Sequence, residues 1–311
     1  MSEHVIVSGA TGFLGATVVR ELRNSGIQVT ALVRSRSDRR RISDIGGLDI
    51  LEHEVGEDIS SIVRERKPST FIHCAWRGVA GSERNETFQV TENVPLTIAA
   101  VDLAAVSGCT RWIGLGSQAE YGNPNRRVDE AAPLVPTTEY GLAKVAAFKA
   151  AREECQEAGM EFGWLRIFST YGPDDSPGWF IPTVIQEMLA GQQPKLTIGE
   201  QLWDYLYVSD AASAVVAMAR SGATGAFNVG SGSALPLRYY VEAIRREIGT
   251  DIEPAYGAIP YRPDQVMHLE ADISRLVEAT GWTPKVKITE GIRNTVSFER
   301  RRLGTATSIS T

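Results

Sequence analysis

The stretch VSGATGFLG, Val7 to Gly15, constrains the fold of this chain more than any other, because an apolar strand runs into three glycines spaced three residues apart. The apolar residues of His4–Ser8 predict a buried strand, and those from Leu14 to Leu22 recur at helical spacing. In such a turn one glycine permits the bend, one lets the backbone approach a pyrophosphate, and one lets the helix pack closely on the strand. The stretch predicts a dinucleotide cradle, with a plain strand-to-helix turn as the alternative.

Short apolar runs alternate with helical patterns along the first two thirds of the chain. Further buried strands are predicted at Gln28–Val33, Thr70–Cys74, Arg111–Gly116 and Phe162–Phe168, and long helices at 86–107 and 140–158. Strands that alternate with helices form βαβ units and a parallel sheet covered on both faces. The prediction is an α/β fold with a doubly wound parallel sheet, whose ligands bind beyond the carboxyl ends of the strands.

The texture of the sequence changes after Tyr171, where YGPDDSPGWFIP is rich in turn formers and aromatic residues. We expect residues 1–171 to form the dinucleotide-binding domain, with residues 205–230 returning to it as a helix and a last strand. Residues 172–204 and 231–311 are expected to form a smaller C-terminal lobe that binds substrate.

Composition and charge exclude several classes of function. The net charge is −6 and the pI about 5.4, so nothing indicates nucleic-acid binding. The sequence has no apolar run long enough to span a membrane and no basic-then-apolar start typical of a signal peptide. Its three cysteines form no CxxC pair and its four histidines are scattered. We expect a cytoplasmic protein without a metal site.

The residues after the second predicted strand report on the dinucleotide. An acidic residue there would bind the ribose hydroxyls of NAD, but this chain has Arg34 and Arg36. Arginine suits a 2′-phosphate through charge-assisted hydrogen bonds, so the sequence favours NADP(H), with Arg34 the nearer ligand. A solvated basic loop is the alternative.

A tyrosine and a lysine stand four residues apart in Tyr140-Gly-Leu-Ala-Lys144. Residues at this spacing share one face of a helix, and a nearby ammonium would lower the pKa of the tyrosine. Such a tyrosine can exchange a proton with an alcohol or a carbonyl. Ser117 directly follows a predicted strand, where its hydroxyl could bind a substrate oxygen. The alternative is an ordinary amphipathic helix.

With these residues in place the chain resembles the extended short-chain dehydrogenase/reductase family over nearly its whole length. The resemblance is carried by GATGFLG, HCAW, GSQAEYG, YGLAK, LRIFSTYGP, DYLYVSDAA, FNVG and YRPD. It implies a Rossmann-type domain, a nicotinamide cofactor and, usually, a nucleotide-sugar substrate. In HCAW, Cys74 and Trp76 depart from the usual leucine and small residue.

The resemblance also assigns roles to positions of this chain. Ser117, Tyr140 and Lys144 match the catalytic positions, and Asn93 matches an asparagine that supports the site. The positions expected to contact the cofactor are Gly9, Thr11, Gly12, Phe13, Leu14, Gly15, Arg34, Arg36, Asp58, Ile59, Ala75, Trp76, Tyr140, Lys144 and Phe168. Those expected to contact the substrate are Gln118, Ser169, Phe180, Trp203 and Arg262, although Trp203 stands where the family usually has a second diphosphate-binding arginine.

The two residues after Ser117 narrow the choice of reaction. Dehydratases and decarboxylases similar to this chain carry carboxylates at these positions, which here are Gln118 and Ala119. Reduction and 4-epimerisation remain. The arginine after the second strand favours NADPH-dependent reduction of a nucleoside-diphosphate 4-keto-6-deoxyhexose. The alternatives are a 4-epimerase with tightly bound NAD, a ketoreductase of a non-sugar substrate, and a non-catalytic NADP(H) sensor. The family commonly pairs the helices at 86–107 and 140–158 into a homodimer, which we expect here.

Overall fold

The computed structural model describes residues 3–54 and 56–309, with side chains described as far as Gly304. The strands are β1 His4–Ser8, β2 Gln28–Val33, β3 Asp49–Glu52, β4 Thr70–His73, β5 Arg111–Ser117, β6 Arg126–Val128, β7 Glu161–Ile167, β8 Ser169–Tyr171, β9 Lys195–Leu196, β10 Leu202–Trp203, β11 Tyr205–Tyr207, β12 Gly225–Val229, β13 Leu235–Pro236, β14 Ala255–Tyr256 and β15 His268–Ala271. The helices are α1 Phe13–Asn24, α2 Ser60–Glu65, α3 Phe88–Thr91, α4 Asn93–Val106, α5 Glu139–Glu157, α6 Phe180–Leu189, α7 Val208–Arg220, α8 Leu237–Ile248, α9 Ser274–Thr280 and α10 Ile288–Ile309.

Seven of these strands form one parallel sheet in the order β12-β7-β5-β4-β1-β2-β3. The strand order reverses between β1 and β4, and such a reversal opens a crevice at the carboxyl ends of the strands. The predicted α/β fold with a parallel sheet is therefore confirmed. The glycine turn after β1 lies at this crevice.

Both faces of the sheet are apolar, which explains why helices cover both. Along β1, Val5 and Val7 belong to one buried cluster and Ile6 to the other, because successive strand residues point to opposite faces. Residues of α1 and α7 complete the first cluster, and residues of α4 and α5 complete the second. Burying each such side chain contributes about 1.5–3 kcal/mol, so the two helix layers hold the sheet rigid.

The C-terminal half adds smaller sheets and a third apolar cluster. A four-stranded sheet has the order β13-β10-β15-β6, and β8 pairs with β11 in parallel. Helices α6, α8 and α10 share a cluster that includes Ile185, Tyr240 and Ile292. Elements cross the expected boundary at residue 171 in both directions, since β6 joins the four-stranded sheet and Trp282 packs into the core beside α7. The division into two lobes stays a prediction.

The segment predicted as one helix at 86–107 is two helices, α3 and α4, separated by Glu92. Proline explains where α4 begins. Pro95 has no backbone N–H to donate to a preceding turn, and it is tolerated in the first turn of a helix, where N–H groups lack partners in any case. Among the described residues, no helix is both long and apolar enough to cross a membrane.

Candidate functional site

The turn between β1 and α1 depends on its glycines. Gly9 has φ of +67°, and a Cβ built on it would lie 2.5 Å from the backbone nitrogen of Ala75. A Cβ on Gly15 would lie 2.1 Å from the carbonyl oxygen of Gly9. The carbonyl of Gly9 also accepts a hydrogen bond from the N–H of Gly12 at 3.0 Å. These two glycines thus serve the close packing of the turn on α1 and on the segment after β4.

The start of α1 fits the phosphates of a dinucleotide. Gly12 is the N-cap residue and is exposed, and as a glycine it has no side chain to accept hydrogen bonds from the first amides of α1. The first amide groups of a helix have no partners within it and carry the positive end of its dipole. The predicted residues Thr11, Phe13 and Leu14 lie on this same turn and are half-buried. An anion can therefore be held here by backbone groups alone.

An acidic residue that the sequence analysis missed lies beside the residues that follow β2. Glu54, just beyond β3, accepts hydrogen bonds from the backbone N–H of Ser35, at 3.2 Å, and from its hydroxyl. Arg34 and Arg36 are exposed, and their charges help to lower the pKa of Glu54, after its bonds with Ser35. A predicted strand β3 beside β2 would have identified Glu54, since neighbouring parallel strands bring their carboxyl ends together. The region expected to bind the ribose 2′ position of the dinucleotide therefore carries both basic and acidic side chains.

Ser117 and Tyr140 meet, as predicted, at the end of β5 and the beginning of α5. Both side chains are buried, and the Ser117 hydroxyl lies close enough to the Tyr140 phenol to lower its pKa. The hydroxyl of Ser117 also accepts from the N–H of Ala119 at 3.2 Å. On the same face of α5, the Lys144 ammonium donates to the carbonyl of Leu115 at 2.7 Å. The three predicted catalytic side chains thus form one cluster.

The electrostatics of this cluster differ from the prediction. Burial raises the pKa of Tyr140, and the groups that oppose the rise are the Arg84 guanidinium and the Ser117 hydroxyl. Burial also lowers the pKa of Lys144 to about 7, against the opposing charge of Glu120. The Lys144 ammonium lies 5.8 Å from the Tyr140 ring centroid. The expected lowering of the tyrosine pKa by Lys144 is therefore outweighed in the structure, because desolvation raises the pKa of Tyr140 and lowers that of Lys144.

A buried carboxylate supports Ser117 from behind. Glu120 is fully buried and accepts from the N–H of Ser117 and from the Trp164 indole, both at 2.9 Å. Its other oxygen accepts from the Arg166 guanidinium at 2.7 Å. Arg166 in turn donates to the Tyr121 hydroxyl at 3.0 Å. Glu120 therefore points into the protein and away from the space in front of Ser117.

The segment after β4 is held by amides. Asn93 is buried, and its side chain accepts from the N–H of Arg77 at 2.8 Å and donates to the Arg77 carbonyl at 3.0 Å. It also donates to Gln89, which accepts from the Trp76 indole at 2.9 Å. The ring of Trp76 lies 3.5 Å from the Lys144 ammonium. The network thus fixes Trp76, which the family would replace by a small residue, against Lys144.

A cavity of about 420 Å³ lies beside this cluster. Three of the predicted substrate residues line it, namely Gln118, Trp203 and Arg262, together with Arg84. A fourth, Ser169, accepts a hydrogen bond from the Trp203 indole at 2.7 Å. Arg262 is exposed and lies 3.7 Å from Asp264. Three residues predicted to bind the substrate therefore line one cavity, which includes the chain neighbours Gln118 and Ala119 of Ser117.

Some predicted side chains are placed elsewhere. Phe168 is buried in an apolar cluster with Tyr121, Val128 and Leu269, and Phe180 packs on the cluster of α6, α8 and α10. Ile59 is buried in the cluster beneath α4 and α5, whereas its neighbour Asp58 is exposed and accepts from the N–H of Ser60 at 2.9 Å. These apolar side chains pack within the protein. No group of His, Cys, Asp and Glu residues in the described part of the chain could hold a metal ion.

The comparisons with known proteins agree with this geometry. The model of the NAD dependent epimerase/dehydratase family matches residues 5–230. A UDP-glucose 4-epimerase of Mycolicibacterium smegmatis is 28% identical over 310 residues, which cover 96% of this chain and 98% of that protein. A dTDP-6-deoxy-L-talose 4-dehydrogenase (NAD(P)(+)) of Kitasatospora kifunensis is 28% identical over 308 residues, 93% of each chain. The solved structure of MoeE5 with UDP-glucuronic acid and NAD is 29% identical, with a TM-score of 0.83, and covers 96% of this chain and 99% of its own.

Proposed function

Because the chain belongs to the NAD dependent epimerase/dehydratase family, we propose that it inverts C4 of a nucleoside-diphosphate hexose, as a 4-epimerase. The observation that carries the proposal is the buried pair of Ser117 and Tyr140, with Lys144 on the same helix face as the tyrosine, beside a cavity of about 420 Å³. Several relatives that span 94–96% of the chain are described as UDP-glucose 4-epimerases, one of them as putative, which supports this reaction over the 4-keto reduction that we expected from the sequence.

The residues of this chain supply the proton transfer. Tyr140 takes the proton of the C4 hydroxyl as that carbon is oxidised, and returns it as the carbon is reduced. Ser117 donates a hydrogen bond to the same oxygen, which stabilises the negative charge that develops there. A bound nicotinamide supplies the hydride acceptor and donor at C4. A protonated Lys144 stabilises the tyrosinate, and burial lowers the pKa of this ammonium to about 7.

The polar lining of the cavity argues against elimination of water. Gln118 and Ala119 take the two positions after Ser117, and Glu120 is engaged with Arg166. Asp264 is the carboxylate that lines the cavity, and its side chain is 72% exposed beside Arg262. A dehydratase needs a carboxyl group held close to the leaving hydroxyl. Ring oxidation and reduction at C4 need none.

We propose NAD as the resident cofactor in place of the NADP(H) expected from Arg34. Glu54 would lie beside the ribose 2′ position, where a carboxylate accepts hydroxyl hydrogen bonds and repels a phosphate. Relatives of known structure are described in complex with NAD. Arg41 joins the glycine turn to the loop after β8, because it donates to the Thr11 carbonyl at 3.3 Å and pairs with the Asp174 carboxylate at 2.9 Å. This link would help the protein to retain a bound NAD.

The experiment is turnover of UDP-glucose by the purified protein, followed by NMR of the sugar. Epimerisation without added cofactor, with release of NAD on denaturation, is the expected result. Tyr140→Phe should lower kcat by at least about a hundredfold, since general acid–base catalysis contributes 10²–10⁴-fold. A matched control is Tyr239→Phe, on the exposed side of α8. Turnover of Tyr140→Phe within a few-fold of the parent enzyme would refute the assignment.

Reduction of a nucleotide-linked 4-keto-6-deoxyhexose is the second candidate. Two exposed arginines after β2 and the similarity to a 4-dehydrogenase of a deoxyhexose favour it. The two functions separate in one assay. A reductase consumes NADPH in proportion to product and releases the oxidised form, whereas an epimerase changes the sugar with no net change in absorbance at the nicotinamide band.

We also propose the homodimer expected from the sequence. Helices α4 and α5 lie side by side over one face of the sheet, and they expose Val106 and Leu142. Two such helices from each of two copies would form a four-helix bundle that buries these side chains. Light scattering at micromolar concentration tests it: the expected mass is twice 33.9 kDa, and a monomer would refute the pairing.

A further inference from the structure

Arg84 is a cation at the reaction centre that the proposed mechanism leaves without a role. Its guanidinium carbon lies 4.7 Å from the ring centroid of Tyr140 and 5.4 Å from that of Trp179. Its backbone carbonyl accepts from the N–H of Tyr140 at 2.8 Å, which ties the residue to the beginning of α5. The backbone of Arg84 is therefore tied to the beginning of the helix that carries Tyr140, and its guanidinium lies over the tyrosine ring.

The charge of Arg84 is uncompensated within the described part of the chain. Its side chain donates to the carbonyl of Val79 at 3.3 Å, and no carboxylate of those residues forms an ion pair with it. Among the other residues that line this cavity, Asn85, Gln118 and Thr137 are neutral, and the Asp264 carboxylate lies beside Arg262. A half-buried guanidinium that faces a cavity without a counter-ion favours an anionic ligand.

The position of Arg84 indicates which anion. If Tyr140 exchanges the proton of the C4 hydroxyl of a hexopyranose, C6 lies close to the same side chain, because it is attached to the neighbouring C5. The diphosphate is attached to C1, on the opposite side of the ring. A guanidinium beside Tyr140 can then reach a group on C6. Arg262, which lines the same cavity from the loop before β15, is the residue predicted to bind the diphosphate.

We propose that Arg84 binds the C6 carboxylate of a hexuronic acid, so that the preferred substrate is a nucleoside-diphosphate uronic acid. The proposal rests on the C4 chemistry of the proposed function and adds its substrate class. A carboxylate suits arginine because the planar fork of N–H donors matches its two oxygens, a match that the single ammonium of lysine lacks.

The test compares UDP-glucuronic acid with UDP-glucose in the full-length enzyme and in Arg84→Met, Arg84→Lys and the exposed-surface control Arg126→Met. Arg84 also lowers the pKa of Tyr140, so its removal should slow the turnover of both substrates through the tyrosine. The ratio of the two kcat/KM values isolates the carboxylate. We expect the parent enzyme to favour UDP-glucuronic acid, and Arg84→Met to lower the ratio by about 10- to 100-fold, the range for a lost hydrogen bond to a charged group.

The other expected results depend on the same contact. Arg84→Lys should recover only part of the ratio, Arg126→Met should leave it unchanged, and the affinity for UDP alone should be the same in all four proteins. A ratio that Arg84→Met does not change would overturn the proposal, as would a loss of UDP affinity, which would place the diphosphate on Arg84. Absence of C4 turnover of either sugar nucleotide by the folded parent enzyme would refute the proposed function as well. Melting temperatures within a few degrees establish that the variants are folded.

Discussion

Removal of the Glu120 carboxylate should destabilise the protein far more than removal of an exposed one. The side chains of Glu120 and Arg166 are 0% and 3% exposed and lie 2.7 Å apart. Glu120→Ala leaves the guanidinium of Arg166 buried with the Tyr121 hydroxyl as its nearest remaining partner, and it deprives the N–H of Ser117 and the indole of Trp164 of their acceptor. Breaking a buried pair on one side costs about 3–5 kcal/mol.

The control is the pair Arg20–Asp44, whose side chains are 41% and 67% exposed at 2.7 Å. Asp44→Ala should cost about 0–1 kcal/mol, because water screens an exposed pair. Urea denaturation followed by far-UV circular dichroism measures both free energies of unfolding. The double variant Glu120→Leu with Arg166→Met should recover much of the stability, since apolar replacements of a buried pair are often neutral.

Equal losses for Glu120→Ala and Asp44→Ala would refute the reasoning, because they would mean that burial adds nothing to the contribution of the pair. A Glu120→Gln variant refines the result. It retains an acceptor for Ser117 but loses the charge that raises the pKa of Lys144. If charge and not shape is what Arg166 requires, Glu120→Gln should be nearly as unstable as Glu120→Ala.

Three further predictions concern the turn, the lysine and the cofactor. Gly15→Ala places a Cβ 2.1 Å from the Gly9 carbonyl oxygen, so it should cost at least about 1–3 kcal/mol and abolish NAD binding in calorimetry, whereas Gly46→Ala, with no atom within 4 Å, should do neither. The pKa of Lys144 is about 7 in the folded protein against 10.5 for a free lysine, so the unfolded chain binds the proton more tightly. The free energy of unfolding of the parent protein, relative to that of Lys144→Met, should therefore rise between pH 7 and 10.5. A difference that does not change with pH would contradict the burial of the ammonium. Glu54→Gln should raise affinity for NADP relative to NAD by about fivefold, the ~1 kcal/mol scale of an exposed charge pair, in fluorescence titrations, and equal changes for both dinucleotides would show that Glu54 does not face the 2′ position.

Much of the fold could be predicted because its signals are local. The strands β1 and β2 begin and end where the apolar patterns place them. The break between α3 and α4 was missed, since an apolar run with helical spacing continues through Glu92 and only the proline two residues into α4 marks the new start. Pattern reading registers periodicity over a window of residues and is less sensitive to a single missing hydrogen bond.

The predicted site residues divide in the same way. Those that one element presents together, such as Tyr140 and Lys144 on α5, were found from their spacing alone. The buried ion pair of Glu120 with Arg166 and the burial of Phe168 were not accessible in this way, because a strand end or a short turn can present a side chain to solvent or to the interior. Packing against distant elements decides between them, as the bond from Glu120 to Arg166 across 46 positions shows.

By itself the sequence determined the parallel sheet, the glycine turn after β1 and the pairing of a tyrosine with a lysine on one helix face, since backbone sterics and a period of 3.6 residues act within a few positions. Only the tertiary structure decided the electrostatics. It brought Arg84 over a tyrosine 56 positions later and Glu54 beside Ser35, and it buried Tyr140 and Lys144 deeply enough for desolvation to shift the pKa of each. Charge interactions and solvation depend on distance in space, which the order of residues along the chain does not contain.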